Sequence, residues 1–307
     1  IRVATYILRR ILISIPILFL VVTVVFFAFQ LIPGDPARMY AGDDASLAEV
    51  EQIRADLGLN QPVLVQYTSY LSRLIRGDLG TSIFTRRPVI EEIRGRFWNT
   101  MKLSLAAITV ATVLGMLMGI ASALNRNRFW DHFFSIIALL GISIPVFWLG
   151  LLLMWLFSVQ LGILPTAGDS TWRHFIMPTI TLSVFSLAFI LRMTRSALLE
   201  TVQEDYVRTA RAKGVPEKWV LVRHSLRNAL LPIVTVIGLR FGYMLGGAVI
   251  TESIFAWPGM GRLMITAVGQ RDIPVVQGVL LVFATSFVFV NLMVDIIYGF
   301  VDPRIRR

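Results

Sequence analysis

The stretch Ile11–Gly34, ILISIPILFLVVTVVFFAFQLIPG, carries no charged residue. About 20 mostly apolar residues suffice for a helix to cross a hydrocarbon core of roughly 30 Å. The run is too long for a signal-peptide core, and no small-residue cleavage pattern precedes Pro33-Gly34-Asp35, so it reads as a retained first span. Five further runs follow: Leu103–Leu124; about His132–Val159, with Gln160–Gly168 at the interface; Phe175 to about Leu199; Leu230–Thr251; and Val275–Phe300. Arg240 interrupts the fifth span and Asp295 lies near the end of the sixth.

Composition agrees. Of 307 residues 56% are hydrophobic and only 16% charged, against roughly 25% charged in soluble domains. Mean hydropathy is +0.71. With no cysteine, disulfide frameworks, thiol nucleophiles and thiolate metal sites are all excluded. The expected fold is an all-α integral membrane protein with six transmembrane helices.

Six spans place both termini on one side. That side holds Arg2, Arg9 and Arg10, the loop Asn125–Asp131, the long loop Arg192–Arg227, and Arg304, Arg306 and Arg307. The formal excess of +10 falls entirely on this face, which the positive-inside rule assigns to the cytoplasm. Bases that bracket apolar spans are a topology signal, and nucleic acid is not an expected partner.

The chain divides into residues 1–32 (N-terminus and first span), an external helical segment 33–99, and a core 100–307 with a cytoplasmic loop 199–227. In the external segment Ser46 and Glu49 have capping-box spacing, with Leu47, Val50, Ile53 and Leu57 at helical intervals. Pro62 opens a second pattern with Leu64, Tyr67, Leu71 and Leu74 on one face, and Pro88 a third through Phe97. Composition allows either a cap over the bundle or a docking platform.

In the long loop, Glu204 and Asp205 open a short helix, Arg208, Arg211 and Lys213 fall towards its end, and Gly214 closes it. That order complements the helix dipole, and Glu204 with Arg208 forms a favourable i,i+4 spacing. Ala210 and Ala212 form a small-residue row that leaves room for another surface. Pro216 starts a second stretch, Glu217–Leu226. The loop is either an ordinary basic loop or a stiff element built for mechanical contact.

Elsewhere, Pro16, Pro145, Pro178 and Pro232 lie in the spans and tend to kink them, although first-turn placement would make Pro178 and Pro232 harmless. Arg240 and Asp295 lie at similar depths, so an ion pair joining spans five and six is expected. Glu252 is expected at the interface. His132, His174 and His224 are scattered, with no metal-binding spacing, and neither a G-x-S-x-G elbow nor a phosphate loop occurs. A gradient-driven carrier would want more buried carboxylates and internal repeats.

Tyr206-Val-Arg-Thr-Ala-Arg-Ala-Lys-Gly214, followed by Arg223-His-Ser-Leu-Arg-Asn-Ala-Leu-Leu-Pro232, resembles the EAA coupling loop of binding-protein-dependent ABC importer permeases. More narrowly, the chain is similar to the first permease subunit of the dipeptide/oligopeptide/nickel family. Supporting motifs are Leu31-Ile-Pro-Gly-Asp-Pro36, Gly77-Asp-Leu-Gly80, Gly141-Ile-Ser-Ile-Pro145, Thr251-Glu-Ser-Ile-Phe255, Trp257-Pro-Gly259, and Asn291-Leu-Met-Val-Asp295 running to Asp302-Pro-Arg304. Arg208, Thr209 and Ala210 stand where the general pattern has Glu-Ala-Ala.

The resemblance implies an inner-membrane permease forming half of a pore with a second, homologous permease subunit. It also implies an external substrate-binding protein and two cytoplasmic ATPase subunits that hold ATP and Mg. Glu204, Asp205, Tyr206, Arg208, Thr209, Ala210, Arg211, Ala212, Lys213 and Gly214 would enter a groove on one ATPase. No cofactor is expected in this chain. Short peptides are the first substrate class implied, glutathione-like tripeptides included, then nickel complexes or opine- and sugar-like solutes.

Overall fold

A computed structural model describes residues 2–31, 35–42 and 44–301. Ile32, Pro33 and Gly34 of the first motif, and Asp302, Pro303, Arg304, Arg306 and Arg307 of the tail, lie outside the described residues. The described secondary structure is helical, apart from one antiparallel bridge between Thr81 and Pro88.

The first span is α1 (Arg2–Gln30). The short helices α2 (Pro36–Ala41), α3 (Leu47–Asp56) and α4 (Val63–Ile75) follow. Ser46 and Glu49 form the expected capping box, but only Val50 of the α3 face is buried and Leu47 is 85% exposed. The inward face of α4 is Tyr67, Tyr70 and Leu74, packed on Phe26 of α1; Leu64 points outward. Both outward leucines occupy first turns, before the helix meets a neighbour.

The core begins with α5 (Val89–Leu124), which absorbs the third short pattern into a single helix with the second span. Next come α6 (Phe129–Ser143) and α7 (Val146–Leu153), the latter running into a π-helical stretch Met154–Gln160. Five helices of the described chain are long and apolar enough to cross a membrane; a sixth crossing requires α6 with α7 and its extension, bent by 105°. The kink expected at Pro145 is therefore a full break, with α6 and α7 separate helices. Pro145 lacks an N–H to continue the helix and drives the preceding residue out of the α region, and Ile144 is extended at ψ 122°.

After a short 3₁₀ turn, α8 (Ile176–Thr201) packs lengthwise on α5. Two small residues make that approach possible. A Cβ on Gly119 would stand 2.7 Å from the Leu191 carbonyl oxygen, and one on Gly115 would stand 3.0 Å from that of Leu187. The main core cluster gathers Leu103, Ala107 and Ala111 of α5 with Leu187, Ile190 and Leu191 of α8.

The loop after α8 holds α9 (Asp205–Ala212) and α10 (Glu217–Trp219), which continues through a π-helical stretch Val220–Leu226 into α11 (Arg227–Ile254). Pro232 thus lies inside a long helix rather than in a first turn, whereas Pro178 does open α8. Finally α12 (Met260–Gly269) leads to α13 (Ile273–Val301), which packs on α1 and α11.

Candidate functional site

The loop between α8 and α11 folds as the charge order suggested. Glu204 is extended and precedes α9. At the other end Gly214 takes φ +76°, a left-handed conformation that glycine adopts without a Cβ clash. This lets the Val215 N–H return to the Ala210 carbonyl at 3.2 Å. Val207 and Ala210 are buried against Val220 and Val215. Ala210 therefore faces inward, and the expected small-residue row is reduced to Ala212 on the outer side. The outer face presents Tyr206, Arg208, Thr209, Arg211, Ala212 and Lys213.

One ion pair braces this unit. Arg211 donates from Nε and Nη2 to the Glu217 carboxylate at 3.1 and 2.6 Å, bridging α9 to α10, and that contact raises the Arg211 pKa above its ordinary value. Arg208 pairs with Asp205 at 3.6 Å rather than with Glu204. The Asp205 carboxylate, one residue further on, is the one that lies beside Arg208.

The base of the loop is held by Ala197 and Leu198 of α8 against Ala229 and Ile233 of α11, with Met116 and Ile120 of α5 alongside. Nearby is a buried pair that sequence reading missed. Asp131, 2% exposed, accepts from Arg195 Nε and Nη2 at 2.7 and 2.9 Å, from Ser122 Oγ at 2.5 Å and from the Asn127 N–H at 2.8 Å. It ties α5, α6 and α8 together. Both residues read as loop charges because each lies at an end of an apolar run.

The structure does not bring Arg240 and Asp295 together. Asp295 pairs with Arg10 of α1 at 3.0 Å. The Arg240 guanidinium lies over the Phe189 ring of α8, 3.4 Å from its centroid, and near Phe185 and Tyr243. Azimuth explains the difference. Gly238 and Gly242 meet Val294 and Phe287 of α13, and Arg240 is about 200° around α11 from Gly238 at roughly 100° per residue. It points away from α13 and into a cavity of about 820 Å³ walled by α6, α8 and α11.

Glu252 is fully buried rather than interfacial. Its carboxylate accepts from Thr100 Oγ1 at 2.6 Å and from the Gly261 and Arg262 N–H groups at 2.7 and 3.2 Å. The Met260 N–H donates to Thr100 Oγ1 at 2.8 Å. Glu252 and Thr100 thus satisfy the first turn of α12, whose donors have no intrahelical partners. On the same side, Asp272 accepts from Ser82 Oγ and from the Ile83 and Phe84 N–H groups, pinning the segment after α4 to the start of α13. Among the described residues no group of three or more His, Asp or Glu could hold a metal ion.

Comparison with known proteins covers nearly the whole chain. Residues 111–307 match the family described as binding-protein-dependent transport system inner membrane component, and residues 3–105 match its N-terminal membrane-component family. The glutathione transport system permease protein GsiC of Salmonella typhimurium (strain LT2) is 46% identical over 301 residues, covering 98% of each chain. GsiC of Escherichia coli (strain K12) is equally similar, at 46% over the same coverage. A crystal structure of an amino acid ABC transporter with histidines superposes with a TM-score of 0.56 at 16% identity, over 67% of this chain and 92% of that one. It supports the fold.

Proposed function

Because the chain belongs to the binding-protein-dependent transport system inner membrane component family, we propose that it forms half of a pore for short peptides such as glutathione and is driven through α9. It is a multi-pass inner membrane protein and a permease subunit of an ABC importer, not an enzyme. ATP hydrolysis belongs to partner ATPase subunits, and a substrate-binding protein belongs to the same system.

The proposal adds four specifics. The other half of the pore is a second, homologous permease. Two ATPase subunits bind ATP and Mg at the cytoplasmic face. The outer face of α9 (Tyr206, Arg208, Thr209, Arg211, Ala212, Lys213) enters a groove on one of them. The transported solute is a short peptide, with glutathione favoured by the identity to the glutathione permeases.

The observation that carries the α9 role is its attachment. Val207 and Ala210 pack on Val220, and Arg211 is bridged to Glu217. Val220 and Glu217 both belong to the helical run Glu217–Ile254 that crosses the membrane. A push on α9 therefore reaches α11 through packed side chains. ATP-driven closure can shift the pore only through contacts that differ between its states, and this unit provides a stiff one.

The chain has no cysteine, which makes the test clean. Ala212→Cys in the assembled transporter should crosslink to an ATPase subunit, with yield changing between ATP-bound and nucleotide-free states. Glutathione uptake into proteoliposomes should require ATP and the binding protein. Crosslinks only to lipid would end the lever reading; ATP-driven uptake of a different solute would end the glutathione reading alone.

A further inference from the structure

Three acids inside or bordering the described spans are already engaged. Asp131 holds Arg195, Asp295 holds Arg10, and Glu252 holds Thr100 and the start of α12. Arg240 has no carboxylate within 4.0 Å among the described residues, and neither does Arg192 one turn beyond Phe189 on α8. Both line the cavity of about 820 Å³, with Ser135, Ser196, Phe189 and Tyr243. That volume lies within the roughly 300–1,000 Å³ typical of small-molecule sites.

Arg240 lies within the apolar run Leu230–Thr251, where a cation faces protein or water, not lipid tails. Its guanidinium plane is seated on Phe189, which fixes its position and leaves its N–H edge for an acceptor. The cavity thus combines two guanidinium groups, two hydroxyls on neighbouring helices and an aromatic seat.

We propose that the Arg192–Arg240 cavity is a station on the translocation path that binds a carboxylate of the passing solute. The inference rests on the peptide-importer reading and deepens it. Guanidinium groups bind carboxylates in planar, paired geometry, and a peptide with a free C-terminus always presents one. A station that engages this group and no particular side chain holds peptides of varied sequence in transit, leaving side-chain selection to other parts of the system.

Ser135→Cys places a reporter thiol on the α6 wall of an otherwise cysteine-free chain. In inside-out vesicles carrying the whole transporter, labelling by an anionic methanethiosulfonate is followed as a mass change of this chain. The competitors are S-methylglutathione, trialanine, trialanine amide and inorganic phosphate. The expected result is protection by S-methylglutathione and trialanine, and at least about tenfold weaker protection by the amide, the scale of losing one hydrogen bond to a charged group. Adding Arg240→Gln should abolish the difference between acid and amide, and Arg240→Lys should restore part of it.

Acid-selective protection by trialanine without protection by S-methylglutathione keeps the station and removes the glutathione assignment. Equal protection by acid and amide overturns the station. So does protection by phosphate as strong as by trialanine, which would mark a site for phosphate or lipid headgroups. A Ser135→Cys thiol that never reacts would mean a closed packing face, and would overturn it too.

Discussion

Glu252 offers the most exacting test of how the end of α11 is built. Its carboxylate receives the Gly261 and Arg262 N–H groups and the Thr100 hydroxyl in a fully buried position. Glu252→Ala removes all three acceptor contacts and leaves a void. A buried donor deprived of its partner costs about 1–3 kcal/mol, so the two backbone donors alone give about 4 kcal/mol. At about 2 °C per kcal/mol for a chain of this size, the thermal midpoint of the detergent-solubilised transporter should fall by about 8 °C. Glu252→Gln retains one carbonyl oxygen for the α12 donors and an amide that Thr100 can accept, so it should lose only about 1 kcal/mol. The assay is size-exclusion recovery after heating, with ATP-driven uptake at a permissive temperature measured alongside. An alanine variant as stable as the parent would refute the capping argument. A glutamine variant as damaged as alanine would show that negative charge, not hydrogen bonding, is what α12 requires.

Three further outcomes follow from the same contacts. Arg195→Ala strands the Asp131 carboxylate, 2% exposed, and should destabilise the assembly by about 3 kcal/mol; adding Asp131→Asn should recover part of that loss in the same heating assay. Gly119→Leu forces a side chain against the Leu191 carbonyl and Thr194 and should cost about 3 kcal/mol through overpacking, whereas Gly246→Ala, in open space, should leave recovery and uptake unchanged. Glu49 has its pKa lowered by the Ser46 N–H and hydroxyl, so its contribution is present above its unfolded pKa of about 4 and is lost as pH falls through the lower folded value. Amide exchange in α3 should accelerate over that range relative to α4, and Ser46→Ala should flatten the pH response.

Hydropathy and charge order alone made the spans legible, because crossing a bilayer requires a long apolar run and the basic loops record its sidedness. They also gave the loop helix α9: acids before it, bases towards its end and a glycine after it are local signals. The capping box at Ser46 and Glu49 is equally local. The readings of Arg240, Asp295 and Glu252 failed because they depend on the direction in which a side chain leaves its helix. Arg240 and Asp295 lie at comparable depths, yet the glycines at 238 and 242 turn one face of α11 onto α13 and send Arg240 the other way. Asp295, next to Val294, is turned towards Arg10 of α1. Glu252 looked like an interfacial acid because its partners, Thr100 and the N–H groups of Gly261 and Arg262, come from two other helices. Sequence counts apolar residues along an axis, and that sum is blind to rotation about it. Rotation is set by which small residues let neighbouring helices close together, and only the packed bundle decides that.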